Sequence, residues 1–295
     1  MPAVSAARYG KDNIRLYKVH RDEATKTQSV VEMTVCVLLE GEIDVSYTKA
    51  DNSVIVPTDT IKQTTYIVAK QNPVQPPELF ASILGTHFIE TYKHIHAAHV
   101  SIIQHGWTRM TVDGKAHPHS FYRAGNEKLL VNADIIEGKG IEITSGITDL
   151  LVLKSTGSEF HHFIDDEFTI LKATYDRILS TSVDARWKWK TFTGLEDVKK
   201  EVAHFDDASA KVRDITFRLF ANEASPSVQN TMYKMCEDIL AAVPLVETVD
   251  YSLPNKHYFE IDLSWHKGLK NTGKDAEVYA PQTDPNGLIK VTVSR

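Results

Sequence analysis

The order in which strand-like and helix-like patterns follow one another is the feature that most restricts how this sequence can fold. Two strand patterns, 13–20 and 29–39, are joined by a polar turn and followed by two helical patterns, 58–71 and one that Pro76 and Pro77 open. Strand patterns around 99–110 and 120–123 then complete the first half. Hairpins alternating with helix pairs favour antiparallel sheets with helices on one face, which is an α+β fold and not a doubly wound α/β fold.

The second half of the sequence repeats this order. Its strand patterns cover 129–136, 141–153, 215–219, 245–263 and 288–293, and its helical patterns cover 160–178, 195–202 and 227–242. The repetition is one of element order, with no residue-level period. A length of 295 residues fits two domains, so we predict domains at 1–126 and 127–295. Because antiparallel sheets expose their edges unless these are paired, we also expect neighbouring subunits to close them.

Composition excludes several classes of function. The chain has 33 basic and 39 acidic residues, a net charge of −6, and therefore lacks the broad positive field that nucleic acids select. No run approaches the ~18 apolar residues of a membrane span, and the first residues lack the apolar core of a signal peptide. With only Cys36 and Cys236, a disulfide framework is not expected, and both are predicted to be buried thiols. We expect an intracellular protein.

Histidines raise the question of a metal site. There are 13, and His94 and His96 lie two residues apart, so on a strand both would face the same side and could ligate a metal. A third ligand would have to come from elsewhere, since no HExxH motif or pair of CxxC motifs is present. The competing interpretation is that these histidines are hydrogen-bonded or exposed. Motifs for nucleotide-cradling loops (GxGxxG, GxxxxGK[ST]) and for the esterase nucleophile elbow (GxSxG) are also absent.

Four segments carry a resemblance to a known family. They are 7–13 (ARYGKDN), 52–59 (NSVIVPTD), 251–263 (YSLPNKHYFEIDL) and 284–287 (DPNG). They closely resemble the urate oxidases (uricases) in their fungal form, and the similarity runs essentially from end to end. The resemblance implies the tunnelling fold (T-fold), with two tandem domains per chain and four chains stacked into a barrel around a central tunnel. The open sheet edges expected above agree with such a homotetramer.

The resemblance also implies a reaction. Urate, dioxygen and water would give 5-hydroxyisourate and hydrogen peroxide, in purine degradation. No metal, flavin or haem is used in this family, because the electron-rich urate anion supplies the redox chemistry itself. Peroxisomal location is implied as well, although the chain ends at Arg295 without the usual targeting tripeptide; otherwise the protein would be cytoplasmic.

The family's substrate contacts carry over to four positions of the second half. Phe160 should stack on the purine. Arg177 should clamp it by paired hydrogen bonds, as a planar guanidinium suits a planar anion. Gln229 should grip the opposite edge with its amide, assisted by the backbone of Val228.

The remaining functional positions concern protons and oxygen. Lys11, Thr58 and His257 resemble the family's proton-relay triad, in which a lysine accepts the proton of a threonine too weak to act as a base alone. Asn255 with Thr58 should hold dioxygen above the ring. Thr58, Asp59 and Asn255 are also expected to help bind the substrate. Thr58 and Asp59 should come from the neighbouring subunit, which places the active sites at subunit interfaces.

Two alternatives stay open from the sequence. One is a metal-dependent pterin or purine enzyme of the same fold, using His94, His96 and another ligand. The other is a non-catalytic barrel that binds a purine without consuming oxygen.

Overall fold

The computed structural model describes residues 2–282 and 284–295. Contacts divide the chain into two compact units. The first unit consists of Met1–Thr148, Arg186–Ala210 and Pro244–Glu247; the second consists of Asp149–Ala185, Lys211–Val243 and Thr248–Arg295. The predicted domain boundary between residues 126 and 127 stays a prediction.

Strands and helices follow each other largely as predicted in the first half, whereas the second half contains a strand at Leu179–Trp189 that the sequence patterns did not predict. The main strands are β1 (Tyr9–Arg21), β2 (Gln28–Gly41), β3 (Ile95–His105), β4 (Thr108–Val112), β5 (Lys115–Tyr122), β6 (Lys128–Ile136), β7 (Gly140–Lys154), β8 (Leu179–Trp189), β9 (Val246–Lys256), β10 (Tyr258–Glu260), β11 (Tyr279–Pro281) and β12 (Gly287–Ser294). The helices are α1 (Asp44–Lys49), α2 (Thr58–Gln71), α3 (Pro77–Thr91), α4 (Leu195–Lys200), α5 (Val202–Asn222) and α6 (Val228–Ala242). None of the helices in the described residues is long and apolar enough to cross a membrane.

The first unit is an antiparallel sheet with helices packed on it. Its strand order is β1-β2-β3-β6-β7, and the predicted hairpins β1–β2 and β6–β7 are confirmed by their pairing. Alternate residues of β2 are fully buried, namely Met33, Val35, Val37 and Leu39. Helix α3 packs against β3 and β6, and α2 against β1. The period of two therefore marks the sheet face that the helices cover.

The second unit contains most of β8 and β9, all of β12, and the helix α6. Strands run in the order β8-β9-β12, and α6 packs against β12. Ser227 caps α6, because its Oγ accepts a hydrogen bond from Asn230 N at 3.2 Å. The helix buries Met232, Cys236 and Ile239 completely. The α+β prediction, with antiparallel sheets and helices on one face, is confirmed.

One helix and one strand of each half keep a constant spacing that the sequence patterns do not reveal. Helices α3 and α6 each have 15 residues, and strands β3 and β9 each have 11. Pro77 and Val228, the first residues of the helices, lie 151 positions apart, and so do Ile95 and Val246, the first residues of the strands. From α3 to β3 and from α6 to β9 the repeat is thus one of residue positions as well as element order, although the side chains at those positions have diverged.

Three local predictions are wrong. The segment 160–178 is irregular instead of helical, and its apolar residues Ile164, Phe168 and Ile170 are 86%, 83% and 97% exposed. A backbone pair between Phe160 and Thr174 draws its two ends together, which a continuous helix would hold apart. The predicted strand 215–219 lies inside α5, where residues 205, 208, 212, 215 and 219 are buried at helical spacing. The cysteines are both free, as predicted, but only Cys236 is buried while Cys36 is half-buried.

Candidate active site

In the first unit, β1 and the start of α2 carry three of the predicted site residues. The two elements are tied together because Tyr9 Oη accepts a hydrogen bond from Val56 N at 2.7 Å. Gly10 allows β1 to lie close to β2, since a Cβ at this position would collide with the carbonyl of Val37. The strand start and the residues before α2 therefore have a fixed relation within this unit.

Lys11, Thr58 and Asp59 occupy the ends of these elements. Lys11 is half-buried and pairs with Val37 just before a shift in the register of β1. Thr58 and Asp59 are the first two residues of α2 and are exposed. The ion pair with Lys62, whose Nζ lies 2.5 Å from Asp59 Oδ1, lowers the pKa of the Asp59 carboxyl, and the charge of Lys11 adds to this effect. This edge of the unit presents a hydroxyl, a carboxylate and an ammonium group.

In the second unit, Phe160 and Arg177 lie side by side. The Cζ atom of Arg177 is 5.3 Å from the centroid of the Phe160 ring, a cation–π distance. The backbone of Phe160 pairs with that of Thr174 through N···O distances of 2.8 and 2.9 Å. The Phe163 ring stacks on the Phe160 ring at 5.1 Å. Burial lowers the pKa of the half-buried Arg177 guanidinium, which still remains a cation at neutral pH because its reference value is so high.

Backbone hydrogen bonds connect the Phe160 segment to the start of α6. Glu159 N donates to Ser225 O at 2.8 Å, and Ser225 N donates to Gly157 O at 3.1 Å. Helix α6 begins three residues later with buried Val228 and exposed Gln229. Because the first N–H groups of a helix lack partners inside it, this helix start favours an anion. The second unit thus brings the stacking ring, the guanidinium and the predicted amide onto connected backbone.

Asn255 and His257 line a cavity together with Arg177. The cavity has a volume of about 640 Å³. Asn255 lies on β9 opposite Gly287 of β12, and His257 follows β9 directly with its ring 5.8 Å from that of Phe259. A guanidinium, an amide and an imidazole converging on one cavity can hold a polar, planar, anionic molecule.

Sequence reasoning missed several residues of this cavity. Leu171, Thr174, Asp176, Tyr258 and Lys274 also line it. The helical interpretation of 160–178 placed Leu171 in the core, so it gave no reason to expect it beside Arg177. Asp176 and Tyr258 are chain neighbours of Arg177 and His257, and this adjacency is the signal that could have found them.

The predicted relay is divided between the two units. Lys11, Thr58 and Asp59 belong to the first unit, whereas His257 and the substrate contacts predicted for the second half belong to the second. Within the second unit the structure brings Arg177, Asn255 and His257 to one cavity and Phe160 to Arg177.

The metal-site interpretation of the histidine pair is not supported. His94 Nε2 lies 2.7 Å from the carbonyl oxygen of Val54, so it must carry the proton and donate. His96 Nδ1 lies 2.8 Å from Glu137 Oε2. Within residues 2–282 and 284–295, no three His, Cys, Asp or Glu side chains are arranged to hold a metal ion. Both histidines therefore have protein partners, as in the competing interpretation.

Comparisons with known proteins agree with this geometry. The family model "Uricase" matches residues 7–133 and 143–290. The chain is 68% identical over 295 residues to a uricase of Aspergillus flavus, covering 100% of this chain and 98% of the relative, and 48% identical to a uricase of Cyberlindnera jadinii, covering 99% and 97%. The crystal structure of the uricase from Arthrobacter globiformis superimposes with a TM-score of 0.88 at 34% identity, covering 100% of this chain and 96% of that one. The chain belongs to the uricase family.

Proposed function

We propose that this protein oxidises urate with dioxygen and water to 5-hydroxyisourate and hydrogen peroxide, without a bound cofactor. The observation that carries the proposal is the half-buried Arg177 guanidinium beside the Phe160 ring, at a cavity that Asn255 and His257 also line. Membership of the uricase family supports the same substrate.

The binding half of the proposal follows from shape and charge. Urate is a planar anion, so an aromatic ring can cover its face while a guanidinium donates two parallel hydrogen bonds to its edge. Phe160 and Arg177 supply these groups. Gln229 offers an amide from the start of α6, and the Val228 backbone N–H lies beside it at the positive end of the helix. Four groups from one unit thus complement the substrate.

The chemical half requires a proton acceptor and a proton donor. Removing a further proton from the urate anion makes it a better electron donor, and the Arg177 cation stabilises the dianion that forms. Lys11, Thr58 and His257 pass protons from urate to the reduced oxygen. Asn255 and Thr58 hold dioxygen above the ring. Two electrons leave urate and reduce dioxygen to peroxide, and water supplies the oxygen that the product gains at C5.

Completion of the pocket is assigned to a second copy of the chain. Thr58 and Asp59 are exposed at the start of α2, as expected of residues that serve a neighbouring subunit. The exposed apolar side chains of the segment 164–175 also leave a surface that association would cover. We propose a homotetramer built as a barrel of T-fold domains, located in the peroxisome as the family resemblance implies.

The decisive test is turnover after exhaustive metal chelation. Urate's ultraviolet absorption should disappear while hydrogen peroxide appears in a one-to-one ratio. Urate binding without oxygen uptake would favour the non-catalytic barrel. Activity that is lost on chelation and returns with a metal would favour the metal-dependent alternative.

A further inference from the structure

The segment that joins Phe160 to Arg177 has no hydrophobic core to hold it. Its apolar side chains Ile164, Phe168 and Ile170 are more than four-fifths exposed. Burial therefore cannot fix the position of the ring relative to the guanidinium within this unit. In the single chain, polar contacts at the base of the segment have to do so.

Asp176 makes the polar contacts that close this base. Thr156 Oγ1 lies 2.9 Å from Asp176 Oδ1 and 2.8 Å from Oδ2, and Gly157 N donates to Oδ1 at 2.8 Å. Thr156 and Gly157 lie four and three residues before Phe160, and Asp176 directly precedes Arg177. One carboxylate thus ties together the two ends of the loop between Phe160 and Arg177, two of the predicted substrate contacts.

These hydrogen bonds are charge-assisted. They hold the pKa of the Asp176 carboxyl below its ordinary value, with the Thr156 hydroxyl as the main cause and the Gly157 N–H next. Gly157 has a φ of +77°, a left-handed conformation that other residues adopt only with strain. The turn that presents the Gly157 N–H to Asp176 therefore favours glycine at this position.

The same turn leads to the guanidinium itself. Ser158, the next residue, is completely buried and its Oγ accepts a hydrogen bond from Arg177 Nε at 3.4 Å. Asp176 fixes the backbone on both sides of this contact. Although Asp176 lines the cavity, its oxygens are already bonded and its negative charge would repel an anion, so a direct contact with urate is disfavoured.

We infer that Asp176 is a positioning residue for urate binding, which sets the spacing between the Phe160 ring and the Arg177 guanidinium. The inference rests on the proposed function. It assigns Asp176 to substrate affinity and leaves proton transfer to other residues.

The test is equilibrium binding of urate without oxygen, followed by steady-state kinetics in air. In Asp176→Ala the Kd from anaerobic calorimetry and the KM should both rise about tenfold, because hydrogen bonds to charged groups are among the stronger ones. The kcat should stay within about twofold of the original protein. Asp176→Asn keeps one acceptor oxygen and should show a smaller rise, about threefold. If the alanine variant fails to fold, as judged by circular dichroism, the asparagine variant carries the test.

A matched control lies in the same segment. Asp165 is an exposed carboxylate, and Asp165→Ala should leave Kd and KM unchanged. Thr156→Val should weaken binding on its own but add little in the Asp176→Ala background, since the hydrogen bond between Thr156 and Asp176 is lost in either variant. If the role of Asp176 were merely structural, Asp176→Ala would melt at a lower temperature, but its urate Kd, measured well below that temperature, would be unchanged.

The outcomes separate the inference from the proposed function. If the original protein binds and oxidises urate and Asp176→Ala binds it equally well, the positioning role is wrong and the proposed function stands. Equal losses in Asp165→Ala and Asp176→Ala would also overturn the positioning role. If the original protein does not bind urate at all, the proposed function itself is wrong.

Discussion

The second residue of α3 and the second residue of α6 occupy the same place in the two repeats but face different surroundings. Glu78 and Gln229 lie 151 positions apart, each just inside a 15-residue helix. Glu78 is only 3% exposed and accepts a hydrogen bond from Ser145 Oγ at 2.5 Å. Gln229 is exposed. The first repeat is therefore called closed, because its helix start packs into the core, and the second is called open, because its helix start faces solvent.

A second pair of positions shows the same contrast. Gln104 on β3 and Asn255 on β9 are again 151 positions apart, and each lines a cavity of its own unit. The cavity beside Glu78 and Gln104 has about 120 Å³ and no basic residue in its described lining, whereas that beside Asn255 has about 640 Å³ and contains Arg177. The shared backbone positions therefore do not by themselves make a binding site. The larger cavity and the nearby Arg177 cation distinguish the second unit from the first.

The largest expected effect tests whether Lys11 of the first unit contributes to proton transfer and not to affinity. Lys11→Met should lower kcat about 10³-fold, within the ~10²–10⁴-fold range of general acid–base catalysis, while the anaerobic urate Kd changes less than about threefold. Stopped-flow and calorimetry on the same preparation would measure both. An equal turnover number would remove Lys11 from the mechanism.

The next effect tests whether the cation makes the open repeat a binding site. Arg177→Ala should raise the urate Kd about 100-fold, or about 2.7 kcal/mol, because a paired charge-assisted contact is lost. Calorimetry would measure this, with Arg186→Ala, on a strand outside the cavity lining, as the control. Unchanged affinity would contradict the clamp.

Elements with long, clear periods could be predicted from the sequence, and the binding geometry could not. The Pro76-Pro77 opening and apolar spacing located α3, and apolar spacing located α6, because these signals are local. The 160–178 pattern misled, because an apolar period predicts a helix only where a surface exists to bury it. Here the polar contacts of Asp176 and the backbone pair of Phe160 decided the conformation.

The site residues came from resemblance, and only the structure shows why they belong together. Nothing in the sequence distinguishes Arg177 from any other arginine until Phe160 and the cavity are seen beside it. The correspondence of Glu78 with Gln229 was hidden for a related reason. The two helices share backbone positions, but Glu78 is buried and bonds to Ser145 in the core, whereas Gln229 is exposed.

A charge exchanged at the open helix start should have a moderate effect. Gln229→Glu would place a carboxylate opposite an anionic substrate, and we expect the urate Kd to rise about tenfold, or ~1.4 kcal/mol. The loss should lessen as pH falls and the new carboxyl takes up a proton. Calorimetric titrations at several pH values would measure it; a pH-independent loss would mean that the amide is needed for shape and not for charge.

The matching exchange in the closed repeat should affect stability alone, and its effect on urate binding is the smallest expected. Burial raises the pKa of the Glu78 carboxyl to about 7, so between its ordinary value near 4.5 and pH 7 the folded protein keeps a proton that the unfolded chain has lost. The contribution of Glu78 to the free energy of unfolding therefore falls as pH rises through this window, by roughly 1.4 kcal/mol per pH unit at most. In Glu78→Gln this slope should disappear, while KM for urate stays unchanged. Urea unfolding of both proteins across this window would measure the difference in slope; parallel curves would show that Glu78 titrates alike in the folded and unfolded chain. A raised KM in Glu78→Gln would instead mean that Glu78 affects urate binding as well as stability.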